Sequence, residues 1–294
     1  MKILGIESAA LTASVALVTD GMLTAEYTVT DKKTHSQTLL PMLDELKRSL
    51  GLELETLDAI AISAGPGSFT GLRIGAATAK GLGLVLQKPL VAVSTLEALA
   101  YNLAGSERLL CPVMDARRSQ VYNGLYRRKA TEDGDFSSGG SLETVAAPRA
   151  VSAEALVEEL NARGEAVIFV GDGVPVLSRL AATLTVPYSV AAPNNSRARA
   201  ASVAALGEIY AAAGKTVSAE AFAPEYLRKS QAEREREEAI QYDLERELGQ
   251  SVERLARIAT RGRSGSGGNG GSGAPLFSGS LVFSAAFGFA KLFV

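Results

Sequence analysis

Few side chains in this sequence could do chemistry. It contains one histidine, His35, and one cysteine, Cys111. That excludes a disulfide framework and any His/Cys metal cluster built from this chain alone. A hydrolytic site needs a hydroxyl nucleophile beside a base. Ser63 and Ser94 have no base evident in the sequence, and His35 is the sole imidazole. What remains is two turns rich in glycine, Ser63-Ala64-Gly65-Pro66-Gly67-Ser68-Phe69-Thr70-Gly71 and Gly171-Asp172-Gly173, since glycine and proline punctuate a chain more strongly than other residues.

These turns need elements to hold them. Ile60 to Ser63 is a short apolar run with the character of a buried strand, and small and aliphatic residues recur at helical spacing from Leu72 to Gln87. Lys88-Pro89 stops that helix, because the residue before proline is pushed out of helical geometry. Leu90 to Val93 is again strand-like, so the stretch forms a βαβ unit with a right-handed crossover. Its helix contains Gly71, Gly75, Gly81 and Gly83. Glycine costs helix propensity but permits close packing, so this helix is expected to pack tightly on at least one side. Ahead of it, residues 2–6, 14–18 and 23–29 make a three-strand meander, with Asp20-Gly21 as a hairpin signal. Leu39, Leu40, Leu43, Leu46 and Leu50 then lie on one helical face. A second module starts at Leu109: strands near 110–114, 120–126, 141–145 and 166–170, a helix capped by Ser152, and helices at 174–184 and 197–213. Its order loosely repeats the first half, without a residue-level repeat.

Composition sets outer limits. The chain has 294 residues, 47% hydrophobic and 21% charged, with a net charge of −2. That is ample for a core and gives no footprint for autonomous nucleic-acid binding. Met1-Lys2 leads straight into strand-like residues, so a cytoplasmic location and no membrane contact are expected. The expected organisation is an N-terminal domain at 1–104, a second domain at 105–225 and a charged amphipathic helix at 226–260. A Gly/Ser linker at 261–273 and an apolar tail at 274–294 complete it. The tail is long enough to span a bilayer, but Gly279, Gly288 and several serines weaken that reading, and a disordered or foreign tail is expected instead.

Several motifs in sequence order resemble one family. They are ILGIES at 3–8, THSQTLLP at 34–41, SAGPGSFTGLRIG at 63–75, AKGLGL at 79–84, STLEALA at 94–100, MDARRSQVY at 114–122 and PEYLRKSQAERE at 224–235. Together they resemble the bacterial TsaB (YeaZ) family, which takes part in making threonylcarbamoyladenosine in tRNA. The resemblance does not reach residues 240–294. It implies an ASKHA fold of the actin, hexokinase and Hsp70 type, with two related α/β domains, mixed sheets and a nucleotide cleft. In such folds the turn at Glu7 to Ala13 approaches nucleotide phosphates, so Glu7, Ser8, Ala9 and Thr12 would border nucleotide there. Ser8, Ala9, Ala10 and Thr12 are small enough, but no glycine stands at the contact. That favours an ordinary meander turn, with Glu7 as a structural acceptor rather than a catalytic group.

The related transferase subunit, TsaD, resembles this chain through the Gly-Pro-Gly loop and then carries a His-x-x-x-His metal pair. Two histidines four apart share one helix face and can share a metal. Here Ser94 and Ala98 occupy those positions, and Ala116-Arg117-Arg118 replaces a glycine pair in the second hairpin. The resemblance therefore implies a non-catalytic subunit that pairs with a TsaD-type transferase and acts with a TsaE-type ATPase. It would meet tRNA only through the complex and require no cofactor or metal of its own, with ATP or ADP bound, if at all, in the complex. The expected pairing surface, also open to a homodimer, comprises His35, Leu39, Leu43, Arg73, Gly75, Ala76, Lys80 and Gly81. A buried monomer core would use the same residues, and periodicity does not separate the two. The alternatives are an autonomous ASKHA phosphotransferase and a glycoprotease-like peptidase.

Overall fold

The computed structural model describes residues 1–31, 35–129 and 142–228, with Tyr242 and Arg246. The expectations for 229–294 otherwise lie outside the described residues. Residues 1–230 form one compact unit.

Alternating apolar residues build the first sheet. Strands β1 (Lys2–Glu7), β2 (Thr12–Thr19) and β3 (Met22–Thr30) run antiparallel through short turns. Strands β4 (Ala59–Gly65) and β5 (Leu90–Ser94) add in parallel on the other side of β1, giving the order β3-β2-β1-β4-β5. Successive side chains leave opposite faces of a strand, and the core divides accordingly. Leu4, Ile6, Ile60 and Ile62 meet helices α1 (His35–Leu50) and α2 (Phe69–Leu86) on one face. Ile3, Ala59, Ala61, Val91 and Val93 pack on the other. Each buried aliphatic side chain contributes roughly 1.5–3 kcal/mol.

After the short helix α3 (Thr95–Tyr101) the plan repeats. Strands β6 (Leu109–Asp115), β7 (Gln120–Arg128) and β8 (Leu142–Ser152) are antiparallel. Strands β9 (Val167–Val170) and β10 (Tyr188–Val190) join β6 in parallel, so the order β8-β7-β6-β9-β10 matches the first sheet strand for strand. Helix α4 (Ala153–Arg163), capped by Ser152 Oγ at Ala155 N–H, covers one face with α5 (Val174–Ser178). Leu96, Leu99 and Ala100 of α3 cover the other. This duplicated mixed sheet is the ASKHA arrangement the resemblance implies.

Two expectations need correction. The helix expected at 174–184 stops at Ser178, and only a 3-10 turn follows at Ala181–Thr183. The hydroxyls of Ser178 and Thr183 bond back to the carbonyls of Pro175 and Leu180, local bonds that compete with a continuous helix. The second correction concerns residues 200–225, assigned above to the second domain. They return to the first sheet. Helix α6 (Ala200–Ala212) buries Val203, Ala204 and Leu206 against Ile3 and Ala61. It has no capping side chain of its own; Ser14 Oγ accepts from Ala200 N–H at 3.0 Å and Glu26 Oε1 from Ala201 N–H at 3.1 Å. Glu26 also pairs with the Arg199 guanidinium. A carboxylate at a helix N-terminus offsets the macrodipole. Beyond α6, Val217 pairs with Leu90, Ala219 and Phe222 enter the core, and Glu225 N–H donates to Ala64 O at 2.7 Å. Among the described residues no helix is long and apolar enough to cross a membrane.

Candidate functional site

The site the sequence singles out lies where β1 ends, and it is closed. Ser8 Oγ donates to Gly71 O at 3.0 Å, and Ala9 O accepts from Ser68 N–H at 2.7 Å. The glycine loop wraps this turn so tightly that a Cβ on Gly71 would strike Ser8 O, and one on Gly75 would overlap Ser8 Oγ. Glycine is required at Gly71 because the Ser8 backbone passes there, while at Gly75 the space is taken by the Ser8 and Ile62 side chains. Glu7, Ser8 and Ala9 are wholly buried. Glu7 Oε1 accepts from Ala9 N–H at 2.6 Å, while Oε2 has no hydrogen-bond partner. Burial pushes the Glu7 carboxyl up to about 7, against the lowering effect of the Ala9 amide, the Ser63 hydroxyl and the Ala10 amide.

Of the four residues expected to border nucleotide, Thr12, itself buried, lines a cleft with Ala10, Leu11, Leu99, Asp172, Arg197 and Ala198. The free volume of that cleft is about 10 Å³, room for about one water molecule, against the ~300–1,000 Å³ of ligand clefts. Burial raises the Asp172 carboxyl pKa, against the lowering effect of the Asp115 amide and the Arg197 guanidinium, and Arg197 lines the same cleft. Ser8 Oγ and Ala9 O are engaged by the loop that covers them, and Glu7, with Oε2 unpartnered, is wholly buried.

The second sheet repeats the turn in a different form. Asp115 ends β6 as Glu7 ends β1, and Gly171-Asp172-Gly173 comes at the end of β9 as Gly65-Pro66-Gly67 comes at the end of β4. Asp115 Oδ1 accepts from Arg117 N–H at 2.7 Å, and Asp115 N–H donates to Asp172 Oδ1 at 3.3 Å. Arg117, Arg118 and Ser119 have φ of 65°, 53° and 60° in succession, a left-handed course that side chains other than glycine seldom take. Both arginines face solvent.

The remaining candidates have structural work. Ser94 Oγ caps α3 by accepting from Glu97 N–H, and Ala98 is fully buried. Ser63 Oγ donates to Ile6 O. His35 Nε2 lies 2.8 Å from Ala10 O; a carbonyl only accepts, so this nitrogen carries the proton.

The residues of the expected pairing surface divide in the structure. Leu39, Leu43 and Ala76 are buried in the first sheet's own core, and Gly75 sits on Ser8. Lys80 Nζ donates to Glu220 O at 3.1 Å and Phe222 O at 2.9 Å within the chain, and His35 is half-buried. Only Arg73 and Gly81 are open to solvent. The same two helices expose a different apolar set: Leu40 at 55%, Leu84 at 49% and Val85 at 83%, with Pro41 and Ala77. The signal for it lay in the sequence, as the residues of α1 and α2 left over once the core face is assigned.

Comparisons with known proteins agree with the fold. Residues 23–236 match the family described as "TsaD: tRNA N6-adenosine threonylcarbamoyltransferase". Over 171 residues the chain is 37% identical to the tRNA threonylcarbamoyladenosine biosynthesis protein TsaB of Bacillus subtilis, spanning 58% of this chain and 71% of that protein. Over 231 residues it is 29% identical to TsaB of Haemophilus influenzae, spanning 78% and 94% respectively. The solved structure of YeaZ from Pseudomonas aeruginosa is similar with a TM-score of 0.64 at 29% identity, over 77% of this chain and 99% of that one.

Proposed function

The chain belongs to the TsaB (YeaZ) family, and on that premise we propose that it serves threonylcarbamoyladenosine formation in tRNA as a subunit that performs no transfer itself. It pairs with a TsaD-type transferase through the outward face of α1 and α2, and a TsaE-type ATPase acts on the pair. A second copy of the chain competes for the same face.

One observation carries this reading: Val85, Leu84 and Leu40 stand in solvent on helices whose inner faces are already satisfied. Exposed apolar residues grouped on one face mark interaction sites. Ala77 and the open Gly81 on the same helix let a partner helix come close, as small residues do at tight crossings. Further support comes from the turns. Where the transferase subunit carries its metal pair, this chain has a capping serine and a buried alanine, neither of which can replace imidazole. The chain thus keeps the duplicated scaffold and offers it as a surface.

The test is reconstitution. Transferase subunit, ATPase, threonylcarbamoyl-AMP and unmodified tRNA are combined with and without the chain, and modified nucleoside is counted by mass spectrometry. Activity should collapse without the chain, and the chain alone should give none. Val85→Asp should weaken pairing tenfold or more with an unchanged melting temperature. Transfer by the chain alone, or full activity without it, overturns the proposal.

A further inference from the structure

The segment at 219–228 crosses from the first sheet to the second and creates a surface that meets the pairing face only at Arg73 of α2. Arg228 Nη1 donates to Ala116 O at 2.5 Å, which holds the segment against the Arg117-Arg118 turn. Two residues earlier, the Tyr226 ring lies 4.9 Å from the Phe69 ring, centroid to centroid. On Phe69 in turn rests the Arg73 guanidinium, 4.0 Å from the centroid. These contacts bring Arg73, Phe69, Tyr226 and Arg228 together beside the turn that carries Arg117 and Arg118. This surface is open: the Arg117 side chain is 87% exposed, Tyr226 is 41% exposed, and Arg73 and Arg118 also face solvent. Two acids lie among them, Asp115, 3.5 Å from Arg117, and the exposed Glu225, so cationic groups are in excess. The left-handed turn adds an independent sign. Three successive residues without a glycine hold strained backbone to project two arginines, and such strain collects at functional positions.

We propose that this patch binds single-stranded RNA, with the arginines on phosphates and the exposed part of Tyr226 against a base. An acidic protein would satisfy the arginines equally well, but it has no use for an aromatic stack flanked by a guanidinium. Alternating planar and cationic groups match the alternation of base and phosphate in an unpaired strand. With a net charge of −2, the chain attracts nucleic acid only locally, so the contact is weak alone and guides RNA once an assembly supplies further contacts. This deepens the reading above by giving the chain its own hold on RNA, yet it needs no pairing partner to be tested.

The experiment uses the full chain and a short fluorescein-labelled single-stranded RNA, read by anisotropy at about 50 and about 200 mM salt. Arg117→Asn/Arg118→Asn removes both charges with a residue that tolerates left-handed backbone. It should weaken binding tenfold or more at the lower salt and reduce the slope against log salt by about 1.4, at ~0.7 per phosphate contact on a single strand. Tyr226→Ala should cost about fivefold or more, Tyr226→Phe should restore binding, and Arg48→Asn/Arg179→Asn should change nothing. Ultraviolet cross-linking of the unaltered chain should place the adduct on Tyr226 or Phe69, a readout independent of any variant's folding. The proposal falls if the RNA does not bind at the lower salt, if the double asparagine variant binds as before, or if cross-links lie elsewhere. It also falls if a polyglutamate peptide binds as tightly through the same arginines while Tyr226→Ala has no effect, which would assign the patch to an acidic protein. Each result leaves association with the transferase subunit unaffected, so the two proposals fail separately.

Discussion

Two glycines in α2, six residues apart, should respond to the same substitution with opposite sign. At Gly75 an added methyl would overlap Ser8 Oγ and lie 3.1 Å from Ile62 Cδ1 and 3.3 Å from Ser8 Cβ. Overpacking of this kind costs about 1–3 kcal/mol. It would also displace the Ser8 hydroxyl from Gly71 O, a buried hydrogen bond worth about 1 kcal/mol. Against this stands a gain of roughly 1 kcal/mol in helix propensity for alanine over glycine. The net loss expected for Gly75→Ala is about 1–3 kcal/mol. At Gly81 no atom lies within 4 Å of the new methyl, so only propensity acts and Gly81→Ala should gain about 0.5–1 kcal/mol. Urea denaturation followed by circular dichroism measures both. A third variant isolates the cause: Ser8→Ala removes the overlapping oxygen, so Ser8→Ala/Gly75→Ala should be more stable than the two single losses predict, by about 1 kcal/mol or more of coupling. Equal effects at the two glycines, or strict additivity with Ser8, would refute the close packing described for the β1 turn.

Other outcomes follow from the same geometry. The Glu7 carboxyl, raised from 4.5 to about 7, is neutral in folded and unfolded chain at low pH. Above about 4.5 only the unfolded chain ionises freely, so stability should fall by about 1.4 kcal/mol per pH unit until about 7, close to 3 kcal/mol in all. Glu7→Gln, with an amide oxygen still able to accept from Ala9, should flatten that slope and be the more stable protein at pH 8, measured by urea midpoints across the range. Glu26→Ala would strand Arg199 and the Ala201 amide at the start of α6. Breaking a buried pair costs about 3–5 kcal/mol, and because the Arg199 side chain is 31% exposed the expected loss is nearer 2–3 kcal/mol, visible in the thermal midpoint.

Much of the fold was legible because its signals are local. Asp20-Gly21 marks a hairpin, Lys88-Pro89 ends a helix and Ser152 opens one, and each acts within a few residues of itself. The parallel order of the two sheets could also be read as a sequence of elements. Its residues do not repeat: Gly65-Pro66-Gly67 and Gly171-Asp172-Gly173 share only their glycines. What could not be read was which neighbour each apolar stripe meets. Leu39, Leu43 and Leu46 have the same spacing whether they face their own sheet or another protein, and here they face their own sheet. Helix α6 is apolar almost all round, the pattern of a fully enclosed helix, but nothing in its sequence says which sheet encloses it. The candidate nucleotide turn is ambiguous in sequence for a related reason. Small side chains at 8–10 are equally suited to admit a phosphate or a covering loop, and the loop is supplied from 65–71.

The return of α6 to the first sheet has a consequence for how the protein is made. A nascent chain emerging from the ribosome presents Ile3, Ala61, Val91 and Val93 on a surface whose cover is encoded more than a hundred residues downstream. Until residues 200–212 have been synthesised, that half of the molecule stands with one side bare, the condition in which partly made proteins associate with one another. A product truncated anywhere before Ala200 would keep that bare side permanently, so the first half is not a module that can be cut free and studied alone.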